Sequence, residues 1–217
     1  MDFHRQLDIL SPRLLDNARV IMVGCGGIGS PTVLALVKMG VRDLTVFDPD
    51  TVENHNLPNQ LFGPSDLGKS KVSAMADLCR LLAGVEIKTF QESFPGAHKP
   101  QGIIISGVDS MEARQPIWKA LRLKPNVELY IDGRMGGEVA RIYTVRPYDP
   151  DDIAFYEDNL YSEDEADHLP CTARAIIYNV FAIAALIANQ LKKHIKGESY
   201  QREVVFDLRN MIFMGQE

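Results

Sequence analysis

Residues 19–50 constrain the fold more than any other stretch of the chain. They begin Arg-Val-Ile-Met-Val and break into Gly24-Cys25-Gly26-Gly27-Ile28-Gly29-Ser30. An apolar helical pattern follows through Leu34, Val37 and Val41, and a second apolar run, 44–47, ends on Asp48. Strand, glycine-rich turn, helix and strand in that order make one βαβ unit with a nucleotide fingerprint. Gly24 permits the tight turn out of the strand. Gly26 and Gly27 let backbone N–H groups reach a phosphate with no Cβ in the way, and Gly29 lets the helix pack closely on the strand. The helix N-terminus offers unsatisfied N–H groups and a partial positive charge. Asp48 follows at the distance expected of an acidic residue that grips ribose hydroxyls. The glycines alone fit a nicotinamide or flavin enzyme as well as an ATP-using one.

Length and composition narrow the class. A chain of 217 residues with 46% hydrophobic content is read as a single domain, 1–217, able to bury a core. The formal charge of −6 argues against bulk nucleic-acid binding. Three cysteines, Cys25, Cys79 and Cys171, are too few for a disulfide framework or a four-cysteine zinc site. No charged and apolar secretion signal opens the chain, so the expected setting is cytoplasmic. The longest apolar run, 175–188, carries Asn179 and falls short of the roughly 20 residues a bilayer span needs. It reads as a buried helix, with no membrane partner.

Taken in order, residues 1–17 form an arm and a short helix, with Ser11 as N-cap and Pro12 in the first helical position. Beyond Asp48, two prolines and three asparagines within residues 49–62 predict a structured loop. A helix is expected over 72–83 and stops at Gly84, which puts Lys71 in its first turn, where the dipole disfavours a cation. Residues 85–90 read as a strand. The wholly apolar 102–106 reads as a central parallel strand with Asp109 just past its carboxyl end, where open α/β sheets bind ligands. A helix over 111–123 bears Arg114. Strands are expected over 127–132 and, antiparallel, over 136–145. Residues 146–168 are dense in acid and read as a long crossover loop. It leads through Cys171 into a helix over 173–196 stopped by Gly197. A terminal hairpin closes the chain. The expected fold is α/β, Rossmann-like and doubly wound, with a mostly parallel sheet extended by antiparallel strands in the C-terminal half. Cys171 is expected at the helix N-terminus, which favours thiolate.

Five pieces in order then carry a resemblance. They are the glycine loop, Asp48-Pro49-Asp50-Thr51-Val52, Asn56-Leu57-Pro58-Asn59-Gln60, Gly68-Lys69-Ser70-Lys71 and Asp109-Ser110-Met111-Glu112-Ala113-Arg114. The chain resembles the ThiF/MoeB/HesA family, bacterial relatives of ubiquitin-activating enzymes, most closely over residues 1–146. The resemblance implies ATP- and magnesium-dependent adenylation of the C-terminal glycine of a ubiquitin-like protein. Carried over, Gly24, Gly26, Gly27 and Gly29 cradle phosphates, Asp48 binds ribose, Asn56 and Lys71 contact phosphates, and Asp50, Asn59 and Gln60 belong to the nucleotide site. Asp109 holds magnesium, and Arg114 joins the catalytic set. Arg5 matches an N-terminal arm that reaches into the partner's site in a homodimer. Cys171-Thr172 resembles the segment that takes the activated glycyl group as a thioester, for transfer to a conjugating enzyme or acceptor. The family has arginine where Asn59 stands, a loss that Lys69 could offset. No Cys-x-x-Cys pair is present, so no zinc is expected. The competing readings are a sulfur-carrier adenylyltransferase of thiamine or molybdopterin type without an obligatory thioester, a nicotinamide-dependent oxidoreductase, and a non-catalytic scaffold.

Overall fold

The computed structural model describes residues 1–160 and 176–216. One eight-stranded sheet organises them, in the order β3-β2-β1-β4-β5-β6-β7-β8. Its strands are β1 (Arg19–Val23), β2 (Asp43–Phe47), β3 (Lys88–Phe90), β4 (Gly102–Ser106), β5 (Val127–Gly136), β6 (Val139–Val145), β7 (Glu203–Asp207) and β8 (Ile212–Gln216). The first five pair in parallel and the last three antiparallel. This is the expected doubly wound sheet with an antiparallel extension.

Alternation along the strands assigns the two faces. Val20 and Met22 of β1 point to one core with helices α1 (Gly29–Met39) and α2 (Lys71–Ala83). The long helix α5 (Ile177–Lys196) covers the same face. Ile21 and Val23 point to the other, where α3 (Met111–Leu121) and α4 (Pro150–Asp158) supply Ile117, Trp118 and Tyr156. All five residues of β4 are buried, as a strand covered on both faces requires.

Several boundaries differ from the sequence reading. Residues 150–158, read as loop, form α4. Asp149 caps it by accepting from the N–H groups of Asp151 (3.0 Å) and Asp152 (3.3 Å), and Pro150 takes the first helical position. The acidic residues are a helix N-terminus, where the dipole favours them. The β5–β6 turn falls at Gly137, with φ +57°, so β5 continues through Gly136. The expected strand over 85–90 is confined to Lys88–Phe90. The start after Ser11 is a 3-10 turn, Pro12–Leu15, and the Ser11 side chain makes no capping bond. Among described residues α5 begins at Ile177; Cys171 and the expected helix start at 173 lie outside them.

Candidate active site

The sheet's connections reverse direction between β1 and β4, and a ligand crevice is expected there. The two strand ends are joined by the Gly107 N–H, which donates to Val23 O at 2.9 Å. Above them lies a cleft of about 930 Å³. Its walls come from segments far apart in sequence: Gly24, Gly26 and Gly27; Asp48 and Asp50; Asn56, Asn59 and Gln60; Lys71; Asp109; and Arg114.

The glycines divide by role. Gly24 has φ +88°, and a Cβ there would sit 3.0 Å from Gly107 O. A Cβ on Gly29 would sit 1.9 Å from Gly24 O, so this glycine is required by packing behind the cleft. A Cβ on Gly26 would meet only Gln60 Nε2, at 3.7 Å. The protein therefore has room for a side chain at Gly26; only an occupant of the cleft would exclude one.

Asp48 is buried. Its Oδ2 accepts from Cys25 N–H at 2.6 Å and its Oδ1 from Asp50 N–H at 2.9 Å. One carboxylate thus ties the glycine loop to the turn after β2. Burial raises its pKa above the ordinary value against the pull of these two bonds. Lys71 opens α2, is almost fully buried, and donates from Nζ to Asp50 Oδ2 at 2.7 Å. Asn56 uses its Oδ1 to accept from Glu53 N–H at 2.9 Å, which leaves its amide nitrogen for other partners.

Asn59 Oδ1 and Gln60 Oε1 are buried in the cleft wall and accept no hydrogen bond from the described residues. Orphaned buried amide oxygens are costly without a partner. A half-turn of either terminal amide exchanges the acceptor for two donors. The pair therefore suits a ligand rich in hydroxyls and phosphate oxygens. Together with the open Gly26 and the carboxylates at Asp48 and Asp109, the residues fit a nucleotide with a bound divalent cation.

Three expected residues stand differently. Arg114 is buried, donates from Nε to Asp132 Oδ1 at 3.1 Å, and bonds Val108 O and Gly133 O through Nη2. Its fork holds the cleft wall together. Lys69 pairs with Asp66 at 2.9 Å outside the cleft, so it does not replace the arginine missing at Asn59. Arg5 lies in an exposed 3-10 turn, His4–Gln6. Gln6 fastens that turn by donating to Met39 O at 2.8 Å, at the end of α1 away from the glycine loop. At about 1.5 Å per residue, the 11-residue helix α1 separates that attachment from its own cleft by roughly 16 Å. Cys171 lies outside the described residues.

Sequence reasoning missed Arg134, Glu92 and Phe94, which also line the cleft. Phe94 packs edge-on against Phe47, ring centres 5.1 Å apart. It also missed the buried charge cluster around Asp132. Asp132 ends the strand expected over 127–132 and Arg134 falls beyond it, and only the pairing of β4, β5 and α3 brings these charges together. Both described cysteines are buried: burial lifts the Cys25 thiol well above the ordinary value and lifts Cys79 to about 11.

A glycine-lined cleft at the switch point of a doubly wound sheet, with a buried carboxylate and a buried lysine, gives the chain the architecture of Rossmann-like α/β proteins. The chain belongs to the ThiF family, whose model matches residues 6–214. It is 30% identical over 115 residues to a probable adenylyltransferase/sulfurtransferase MoeZ of Mycobacterium tuberculosis, covering 50% of this chain and 29% of that protein. It is 33% identical over 156 residues to ubiquitin-like modifier-activating enzyme 5 of Drosophila grimshawi, covering 63% of this chain and 39% of that protein. The matched stretch is therefore well under half the length of these relatives. In fold it is similar to Escherichia coli MccB, solved with ATP, at a TM-score of 0.71 and 20% identity, covering 95% of this chain and 65% of that one. No helix among the described residues is long and apolar enough to cross a membrane. None of their His, Cys, Asp and Glu side chains forms a group of three or more that could hold a metal ion.

Proposed function

We propose that this protein adenylates the C-terminal glycine carboxylate of a ubiquitin-like protein with ATP. The observation that carries the reading is the convergence of the glycine loop, Asp48, Asn59, Gln60, Lys71 and Asp109 on one cleft from separate segments. Relatives named as modifier-activating enzymes and adenylyltransferases support the same chemistry.

In this reading a carboxylate oxygen of the glycine attacks the α-phosphorus. A bond forms there, the bond to the β-phosphate bridging oxygen breaks, and pyrophosphate leaves. The nucleophile is already an anion, so no base is required; the obstacle is repulsion between anions. Lys71 offsets charge at the α-phosphate, and the loop N–H groups with Asn56, Asn59 and Gln60 hold the polyphosphate. Asp48 accepts from ribose hydroxyls, and the Phe94–Phe47 wall meets the base. Asp109 would hold magnesium, which would supply neutralisation of phosphate charge. Arg5, fastened away from its own cleft, serves the cleft of a second copy in a homodimer. Cys25 and Cys79 are buried, so an enzyme thioester on this chain falls to Cys171, from which the glycyl group passes to a conjugating enzyme or acceptor. Sulfur-carrier activation shares the first step and is favoured by the MoeZ likeness; it needs no thioester.

The test is to incubate the protein with ATP and a ubiquitin-like protein ending in glycine, then add hydroxylamine. The reading expects a C-terminal hydroxamate that forms with Cys171→Ala as well as with wild type. No hydroxamate with any glycine-ending partner, despite ATP binding, would count against adenylation.

A further inference from the structure

Asp132, on β5, is a single fully buried carboxylate that receives four donors. Oδ1 accepts from Ser106 Oγ at 2.6 Å and Arg114 Nε at 3.1 Å. Oδ2 accepts from Arg134 Nε at 2.7 Å and Tyr156 OH at 2.9 Å. A carboxylate offers about four lone-pair positions, so this one is saturated. It has no acceptor left for a substrate proton or a metal, which excludes it as a base or ligand. Burial pushes its pKa up, but the Arg114 and Arg134 guanidiniums outweigh that and hold it below the ordinary value, so it stays anionic.

Its two arginines reach different segments. Arg114 carries the charge onward to Val108 O and Gly133 O, pinning the turn that presents Asp109 to the cleft. Arg134 donates from Nη1 to Asn159 O at 2.8 Å, with its guanidinium 4.3 Å over the Tyr143 ring, pinning the end of α4. Ser110, one residue beyond Asp109, caps α3 by accepting from Ala113 N–H at 3.1 Å. Asp109 therefore sits between two fixed points, the Val108 carbonyl and the first turn of α3.

We infer that Asp132 is a positioning residue for the cation site, acting through Arg114 to hold Asp109 at the place where a nucleotide-bound divalent cation is met. The inference rests on the nucleotide reading of the cleft. It assigns Arg114 a role behind the chemistry rather than in contact with phosphate.

A double-mutant cycle on equilibrium binding tests it. ATP affinity is measured by calorimetry with and without magnesium for wild type, Arg114→Lys, Asp109→Asn and the double variant, with melting temperature as the fold control. Lysine keeps the charge beside Asp132 but cannot also bond Val108 O through a rigid fork. We expect any loss of metal-free ATP binding to be smaller than the loss with magnesium. The gain in affinity on adding magnesium should shrink about tenfold or more, the usual cost of losing an outer-shell partner. The double variant should lose no more than Asp109→Asn alone, because both act through one carboxylate. Asp132→Asn is the second variant, expected to melt lower and to lose the magnesium gain in the same way. Equal loss with and without magnesium, an unchanged magnesium gain, or additive losses in the double variant would each overturn the inference. A wild type that binds no ATP overturns the nucleotide reading, and the inference with it.

Discussion

Lys71 Nζ donates to Asp50 Oδ2 at 2.7 Å, the lysine almost fully buried at the first position of α2 and the aspartate largely open on the cleft rim. A cation at a helix N-terminus is disfavoured by the dipole, and the Asp50 carboxylate offsets it. An ammonium has three donors, so Lys71 can keep Asp50 and still meet a phosphate. Replacing Lys71 by Met should retain the buried stem and remove the charge. The expected loss in adenylation rate is about 10²–10³-fold, as for other single donors to developing charge, measured as single-turnover formation of the acyl-adenylate.

Gly29 and Gly26 should respond oppositely to alanine. At Gly29 the new Cβ would sit 1.9 Å from Gly24 O, a clash with backbone that cannot move cheaply. Gly29→Ala should cost on the order of 4 kcal/mol or more of stability, the range of exceptional substitutions. Gly26→Ala should melt close to wild type and bind ATP more weakly, since its Cβ meets only Gln60 Nε2 within the protein. Denaturant unfolding and nucleotide titration on the two variants separate these effects.

Asp48 predicts opposite pH trends for folding and for binding. Its pKa is raised in the folded protein, chiefly by burial. Stability from such a group is present at low pH and lost as pH rises through the raised folded value. Nucleotide affinity should run the other way, because the ribose acceptor is lost as the carboxylate takes a proton, at a pH above that of an ordinary aspartate. The check is wild type minus Asp48→Asn, in melting temperature and in ATP affinity, from pH 4 to 7 by titration.

Arg5 should act across a dimer. Arg5→Ala and Lys71→Met chains, each inactive alone, should regain activity when mixed. Random reassortment of a two-fold dimer leaves about a quarter of the sites intact. Mixtures that stay inactive, with exchange of chains verified, would show that Arg5 acts within its own chain and not across a dimer.

Much of this was legible in the sequence because the signals were local. The glycine loop with Asp48, the Lys71 start of α2 and the apolar run of β4 each carry their period or cap in a few residues. What stayed hidden depends on distant segments meeting. Asp132 reads as a strand end and Arg134 as part of the connection after it until β5 is set against β4 and α4. Arg114 is legible as part of the Asp109 motif, but its bonds to Asp132 and two carbonyls are visible only in the fold. The helix over Pro150–Asp158 was hidden by weighing acidity as solvation, although Asp149-Pro150 is a cap followed by a first-position proline. Asn59 remains the one departure whose effect only the cleft can reveal: its buried oxygen lacks a partner among the described residues.

The most direct test of the account is ATP–pyrophosphate exchange by the purified protein, with and without a ubiquitin-like protein ending in glycine. The account predicts exchange that requires that partner and falls about 10²–10³-fold in Lys71→Met. Exchange that ignores the partner's terminal glycine, or is undiminished by loss of Lys71, would contradict it.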